Sequence, residues 1–81
     1  MRRTIYLRVE DKPGVLMRVA GIITAKGENI EALQLEQDPD CAGIARIVLV
    51  AQIEPRFRQR VVGEMNRLVQ VLEAIDISDE P

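Results

Sequence analysis

The chain has 81 residues, 47% of them hydrophobic and 30% charged, with a net charge of −2 and a pI near 5.1. That length supports one domain with one core. No apolar run approaches the roughly 20 residues of a bilayer-spanning helix, and the acidic balance gives no electrostatic reason to bind nucleic acid. With no histidine and a single cysteine, Cys41, an internal disulfide is excluded, as are the usual zinc and acid–base constellations.

The N-terminal stretch MRRTIYLRVE alternates apolar and polar without the continuous apolar block of a secretion signal. It reads as a strand of a cytoplasmic protein, with Ile5, Leu7 and Val9 on one face and a mostly polar opposite face. From Gly14 to Lys26 the apolar residues Val15, Leu16, Val19, Ile22 and Ile23 fall at the spacing of a helix with one buried stripe. Gly27 follows where a left-handed C-terminal residue belongs. Residues 30–37 predict a second strand, and Asp38, Pro39, Asp40 and Gly43 supply the turn that carries Cys41 as a bystander. The denser apolar run Ile44 to Ala51 predicts a third, more buried strand. Pro55 suits the first turn of a second helix, along which Phe57, Val61, Met65 and Leu68 line up, with Val62 and Val69 beside them. Its exposed face carries the basic patch Arg56, Arg58 and Arg60, and Gly63 sits inside it at a cost of up to about 1 kcal/mol relative to alanine. Val71 to Ile77 predicts a final strand, and residues 78–81 a frayed tail.

The order βαββαβ over residues 3–77 is that of an α+β, ferredoxin-like sandwich: a four-stranded antiparallel sheet with both helices on one face. Function on such a fold is decided by its sites. An RNA-recognition module needs stacking aromatics, and the chain has only Tyr6 and Phe57. A hydrolase needs a nucleophile with a base, and the polar cluster near a helix start is only Glu10, Asp11 and Lys12. A ligand-binding regulatory module needs a backbone pocket and an exposed edge strand. EDKPGVLMRVAG, residues 10–21, offers the pocket. Pro13 fixes the turn, Gly14 lets a ligand approach the backbone, and the helix N-terminus beyond attracts a carboxylate. Asp11 either accepts hydrogen bonds from a ligand ammonium group or caps the helix, and Gly14 on the second reading only turns the chain.

On VEDKPGVLMRVAGIITAKGENIEALQL at residues 9–35, the Asp38-Pro39 turn before Arg46, and MNRLVQVLEAIDI at residues 65–77, the chain resembles the ACT domain. The resemblance is strongest to the ACT domain of the small subunit of acetolactate synthase (acetohydroxyacid synthase). It implies a non-catalytic regulatory subunit in the cytoplasm that binds branched-chain amino acids, especially valine, and passes feedback inhibition to a separate catalytic subunit. Thiamine diphosphate, Mg and FAD would belong to that catalytic partner, and this chain would hold no cofactor or metal. The resemblance also implies a homodimer through strand 30–37 and the first helix, with the ligand between the turn of one chain and the Gly-x-Asn-Ile segment of the other. The ligand-binding residues are then Asp11, Pro13, Gly14, Val15 and Leu16 from the turn, and Asn29 and Ile30 from the facing segment. Aspartate stands at the first turn position where several relatives have asparagine. Glu28 and Ile23 stand where aromatic residues often occur. The alternative within the resemblance is a stand-alone ACT sensor or dimerisation module for another enzyme or regulator.

Overall fold

A computed structural model describes residues 1–78. The period-two alternation of the first segment forms β1 (Arg2–Glu10), with Ile5, Leu7 and Val9 buried on one face. The helical stripe forms α1 (Val15–Thr24), which buries Val15, Val19 and Ile23. β2 (Ile30–Gln37) is largely exposed, whereas β3 (Ile44–Gln52) buries Ala45, Ile47, Leu49 and Ala51. A 3-10 turn over Pro55–Phe57 leads into α2 (Arg58–Arg67), and β4 (Val71–Asp76) ends the sheet.

All pairings are antiparallel and the sheet order is β2-β3-β1-β4. The two most buried strands are therefore central, and β2 and β4 are edges. Buried residues of the central strands, α1 and α2 form a single cluster, so the helices cover one sheet face. An ion pair between Lys26 and Glu64 ties the end of α1 to α2. The turn glycine Gly27 has φ 75°, the left-handed conformation that ends α1.

Five details differ from the sequence reading. Leu16, counted in the buried stripe, is 36% exposed, and the buried residues of α1 are Val15, Val19 and Ile23. Val69, counted with the second helix, lies past its end and is 87% exposed. The last strand stops at Asp76, one residue before Ile77. Arg3, on the core face of β1, is 1% exposed. Its Nε and Nη2 each stand 2.8 Å from Oδ2 of Asp76. Ser78, assigned to the tail, accepts a hydrogen bond from Thr4 N at 2.8 Å and donates from its own N to Asp76 Oδ1. Residues 79–81 of that tail lie outside the described residues.

The two sheet edges are unlike. Asn66 of α2 accepts from Ala74 N and donates to Ala74 O, both at 3.0 Å, so it takes the N–H and C=O that this residue of β4 turns away from β1. β2 pairs with β3 alone, and its outer row of N–H and C=O groups is open to strand addition.

Gly63 sits inside α2 with nothing within 4 Å of where a Cβ would stand. Gly63→Ala is therefore expected to stabilise the chain by up to about 1 kcal/mol, or roughly 4–8 °C in melting temperature. Thermal unfolding checks this, and a lower melting temperature would refute it.

Candidate functional site

The β1–α1 turn forms because Pro13 restricts φ and Gly14 adopts φ 86°, a left-handed conformation that residues with a Cβ rarely take. Gly14 is the N-cap of α1, and no side chain caps the helix. The Val15 N–H makes only a 3.3 Å contact to Lys12 O, and the first helical bond is Arg18 N to Gly14 O at 3.1 Å. The donors between them, on Leu16 and Met17, have no acceptor among the described residues. They leave positive potential at the mouth of the turn.

Asp11 does not cap α1. Its Oδ2 accepts a hydrogen bond from Gln37 Nε2 at the end of β2, and its own N–H donates to Gly43 O at 2.9 Å. The carboxylate is thereby held at the junction of β1, β2 and the 38–43 turn. The Arg18 guanidinium lies 3.6 Å from the position a Cβ on Gly14 would occupy. No ion pair links it to another described residue, so a cation overhangs the turn. Pro13, Gly14 and Leu16 are exposed, but Val15 is 3% exposed and packs in the core, where no ligand reaches it.

Asn29 and Ile30 stand elsewhere. Asn29 is exposed, its O accepts from Gln52 N at 3.3 Å, and Ile30 packs half-buried against the core. They open the eight-residue strand that Gln37 closes, so roughly 23 Å of β2 separates them from Asp11. Within one chain the two groups of candidate residues are not brought together. The Asn29 end is stiffened by Glu31, the extra residue of a bulge against β3, which receives bonds from Arg2 at 2.8 Å and Gln52 at 2.9 Å. The Gln52 bond, aided by Arg2, holds the Glu31 carboxyl below its usual range.

Two residues at the turn escaped the sequence reading. Arg18 lies four positions after Gly14, so the helical period held a signal for it. Gln37 meets Asp11 only through strand pairing, which carries no local signal. Among the described residues no group of three or more His, Cys, Asp or Glu side chains is arranged to hold a metal ion. No helix among them is long and apolar enough to cross a membrane.

Two helices over a four-stranded sheet of this order, with a glycine turn opening the first helix, match the ferredoxin-like fold of an ACT domain. The chain belongs to the ACT domains of acetolactate synthase small subunits: the family model described as "AHAS small subunit-like ACT domain" matches residues 5–73. A probable acetolactate synthase small subunit from Methanothermobacter thermautotrophicus is 38% identical over 69 residues, 85% of this chain and 40% of that protein. The acetolactate synthase small subunit of Mycobacterium bovis is 34% identical over 95% of this chain and 45% of its own length. The chain thus spans less than half of these relatives. The crystal structure of the Thermotoga maritima small subunit superposes with a TM-score of 0.82 at 22% identity, over all of this chain and 50% of that one. The ACT domain of GTP pyrophosphokinase from Chlorobium tepidum superposes at 0.77 and 18% identity, over 95% of this chain and 97% of that one. These last two likenesses concern the fold.

Proposed function

We propose that this chain is a cytoplasmic regulatory subunit of acetolactate synthase, which binds a branched-chain amino acid, valine foremost, and transmits feedback inhibition to a separate catalytic subunit. The observation that carries the reading is the placement of the two groups of candidate residues at opposite ends of one open edge. If two β2 strands pair antiparallel about a two-fold axis, residue 30 of one chain comes opposite residue 37 of the other. Asn29 of each chain then stands beside Asp11 of its partner, and two equivalent sites form. The uncapped N–H groups of α1 suit the ligand carboxylate, and Asp11 suits its ammonium group. Leu16 and Leu35, 36% and 37% exposed beside this edge, supply apolar surface for the partner and for an aliphatic side chain. The Asn66 clamp on β4 makes β2 the better edge for strand addition.

Calorimetric titration with valine, leucine, isoleucine and unrelated amino acids tests the ligand, and sedimentation equilibrium tests the dimer. Asp11→Ala and Asn29→Ala are each expected to weaken binding by roughly tenfold to a hundredfold, the loss of one charge-assisted hydrogen bond. Mixing the two variants separates a shared site from two unrelated defects. Random re-pairing places both mutations in one site of each heterodimer and leaves the other intact, so about a quarter of all sites should regain native affinity. No recovery on mixing would reject the shared site.

A further inference from the structure

A chain that pairs with its copy along β2 must still touch the protein it controls, and that requirement rests on the regulatory reading above. We propose that the flank formed by α2 and the outer side of β4 is this second surface, and that it receives an acidic, apolar-centred segment of the catalytic subunit.

A groove of about 660 Å³ runs along this flank between Arg56, Arg58, Gln59, Gly63 and Asp76, on the opposite edge of the sheet from β2. Residues 54–67 hold four arginines and two glutamates, a net charge of +2 that leaves −4 on the rest of the chain. The three arginines at 56, 58 and 60 are not simply a solvated helix face. Arg56 and Arg60 lie 4.7 and 5.8 Å from the centre of the Phe57 ring, which gathers their heads on one side of α2, and Arg56 also lines the groove. Arg58 makes only a 3.4 Å contact to Asp76, on the same oxygen that Arg3 already holds with two nitrogens. Arg56 pairs with Glu54 in the open, where such pairs contribute little. All three can therefore transfer to incoming carboxylates without loss of a strong internal bond.

Gly63 adds an independent observation. Neither a positive φ nor a crowded neighbour requires glycine there, and alanine would favour the helix. The missing side chain instead keeps the groove open to close approach. Val69, just past α2, is 87% exposed, and Leu72, Ile75 and Ile77 are 52%, 45% and 49% exposed around the edge strand, Ile75 on the sheet face away from α2 because it pairs with Tyr6 and alternates with the core-facing Ala74. Aliphatic surface edged by arginine fits a protein partner. A nucleic acid would need stacking faces, and the Phe57 ring is attended by two guanidinium groups. Because Asn66 occupies the Ala74 rung, side chains rather than strand addition make the contact.

The test measures binding of the full chain to the acetolactate synthase catalytic subunit encoded in the same genome, by calorimetry at several salt concentrations. Wild-type affinity should fall with added salt. The triple variant R56E/R58E/R60E and, separately, Gly63→Leu should each weaken the complex by about tenfold or more. Valine binding and homodimer mass should be unchanged in both, and both variants should still unfold in one cooperative transition. Unchanged affinity in folded variants overturns the assignment of this flank and leaves the regulatory reading standing. A wild-type chain that binds valine and dimerises but ignores the catalytic subunit overturns both the flank and the partnership. Loss of homodimer mass in either variant would make the flank a self-interface. Binding of an oligonucleotide of about 20 bases, lost in the triple variant, would make it a nucleic-acid surface. Either result overturns the proposal.

Discussion

Asp76→Ala is expected to lower the melting temperature by roughly 12–40 °C, the largest stability change among these substitutions. Its carboxylate receives both nitrogens of the 1%-exposed Arg3 at 2.8 Å, and its other oxygen accepts from Ser78 N. Asp76→Ala takes two charge-assisted contacts from the buried Arg3 guanidinium, and breaking a buried pair costs about 3–5 kcal/mol. A chain of this length has only about 4–12 kcal/mol of stability in all. Replacing Arg3 with methionine should cost less, because the Asp76 carboxylate left behind is 15% exposed and keeps Arg58 and the Ser78 N–H. Acid gives a second readout. Burial pushes the Asp76 carboxyl up, but hydrogen bonds from Arg3 and Ser78 outweigh it and hold the group below its ordinary value of 3.8. A carboxyl with a depressed folded-state pKa contributes stability that is complete above its unfolded value and is lost as pH falls through the folded one. The wild type should therefore lose stability on acidification below about pH 4, and Asp76→Asn should flatten that part of the profile. Thermal unfolding across that range decides the matter; an Asp76→Ala protein that melts within about 3 °C of wild type near neutral pH would refute the account.

Gly14→Asp is expected to weaken valine binding by about a hundredfold or more while the protein stays folded and dimeric. At φ 86° any Cβ is strained, by about 1–2 kcal/mol, although aspartate tolerates this region better than most residues. The new Cβ would sit 3.6 Å from the Arg18 guanidinium, an ordinary contact, so nothing is pushed aside. The added carboxylate would lie at the helix N-terminus and beside Arg18, where it offsets part of the strain. It would also occupy the positive end that the ligand carboxylate needs and neutralise the overhanging cation. Gly14→Ala separates these effects, since it carries the same strain without the charge. Alanine should lower the melting temperature at least as much as aspartate does and should lose less binding. A folded, dimeric Gly14→Asp chain that binds valine normally would reduce the turn to a connection.

Much of this site was legible in the sequence, and the rest was not, for physical reasons that differ by residue. Pro13 and Gly14 announce the turn because their backbone preferences are properties of single residues. Asp11 left two readings open, and the strand pairing that brings Gln37 to it removed the cap. Val15 and Leu16 were grouped together as lining residues, yet one is buried and the other half-exposed, because which side of the helical stripe meets the sheet depends on the packing angle.

The sequence by itself determined the order of elements, the core face of β1, the apolar stripes of both helices apart from Leu16 and Val69, and the greater burial of β3. Each of these follows from periodicity within a few residues. Only the tertiary structure decided that Arg3 turns inward to Asp76, that Asn66 covers the Ala74 groups of β4, and that Asn29 and Gln37, which holds Asp11, stand at opposite ends of β2. Those outcomes depend on register between segments up to 73 positions apart, as in the Arg3–Asp76 pair, and a one-residue slip of any strand would reverse the face its side chains present.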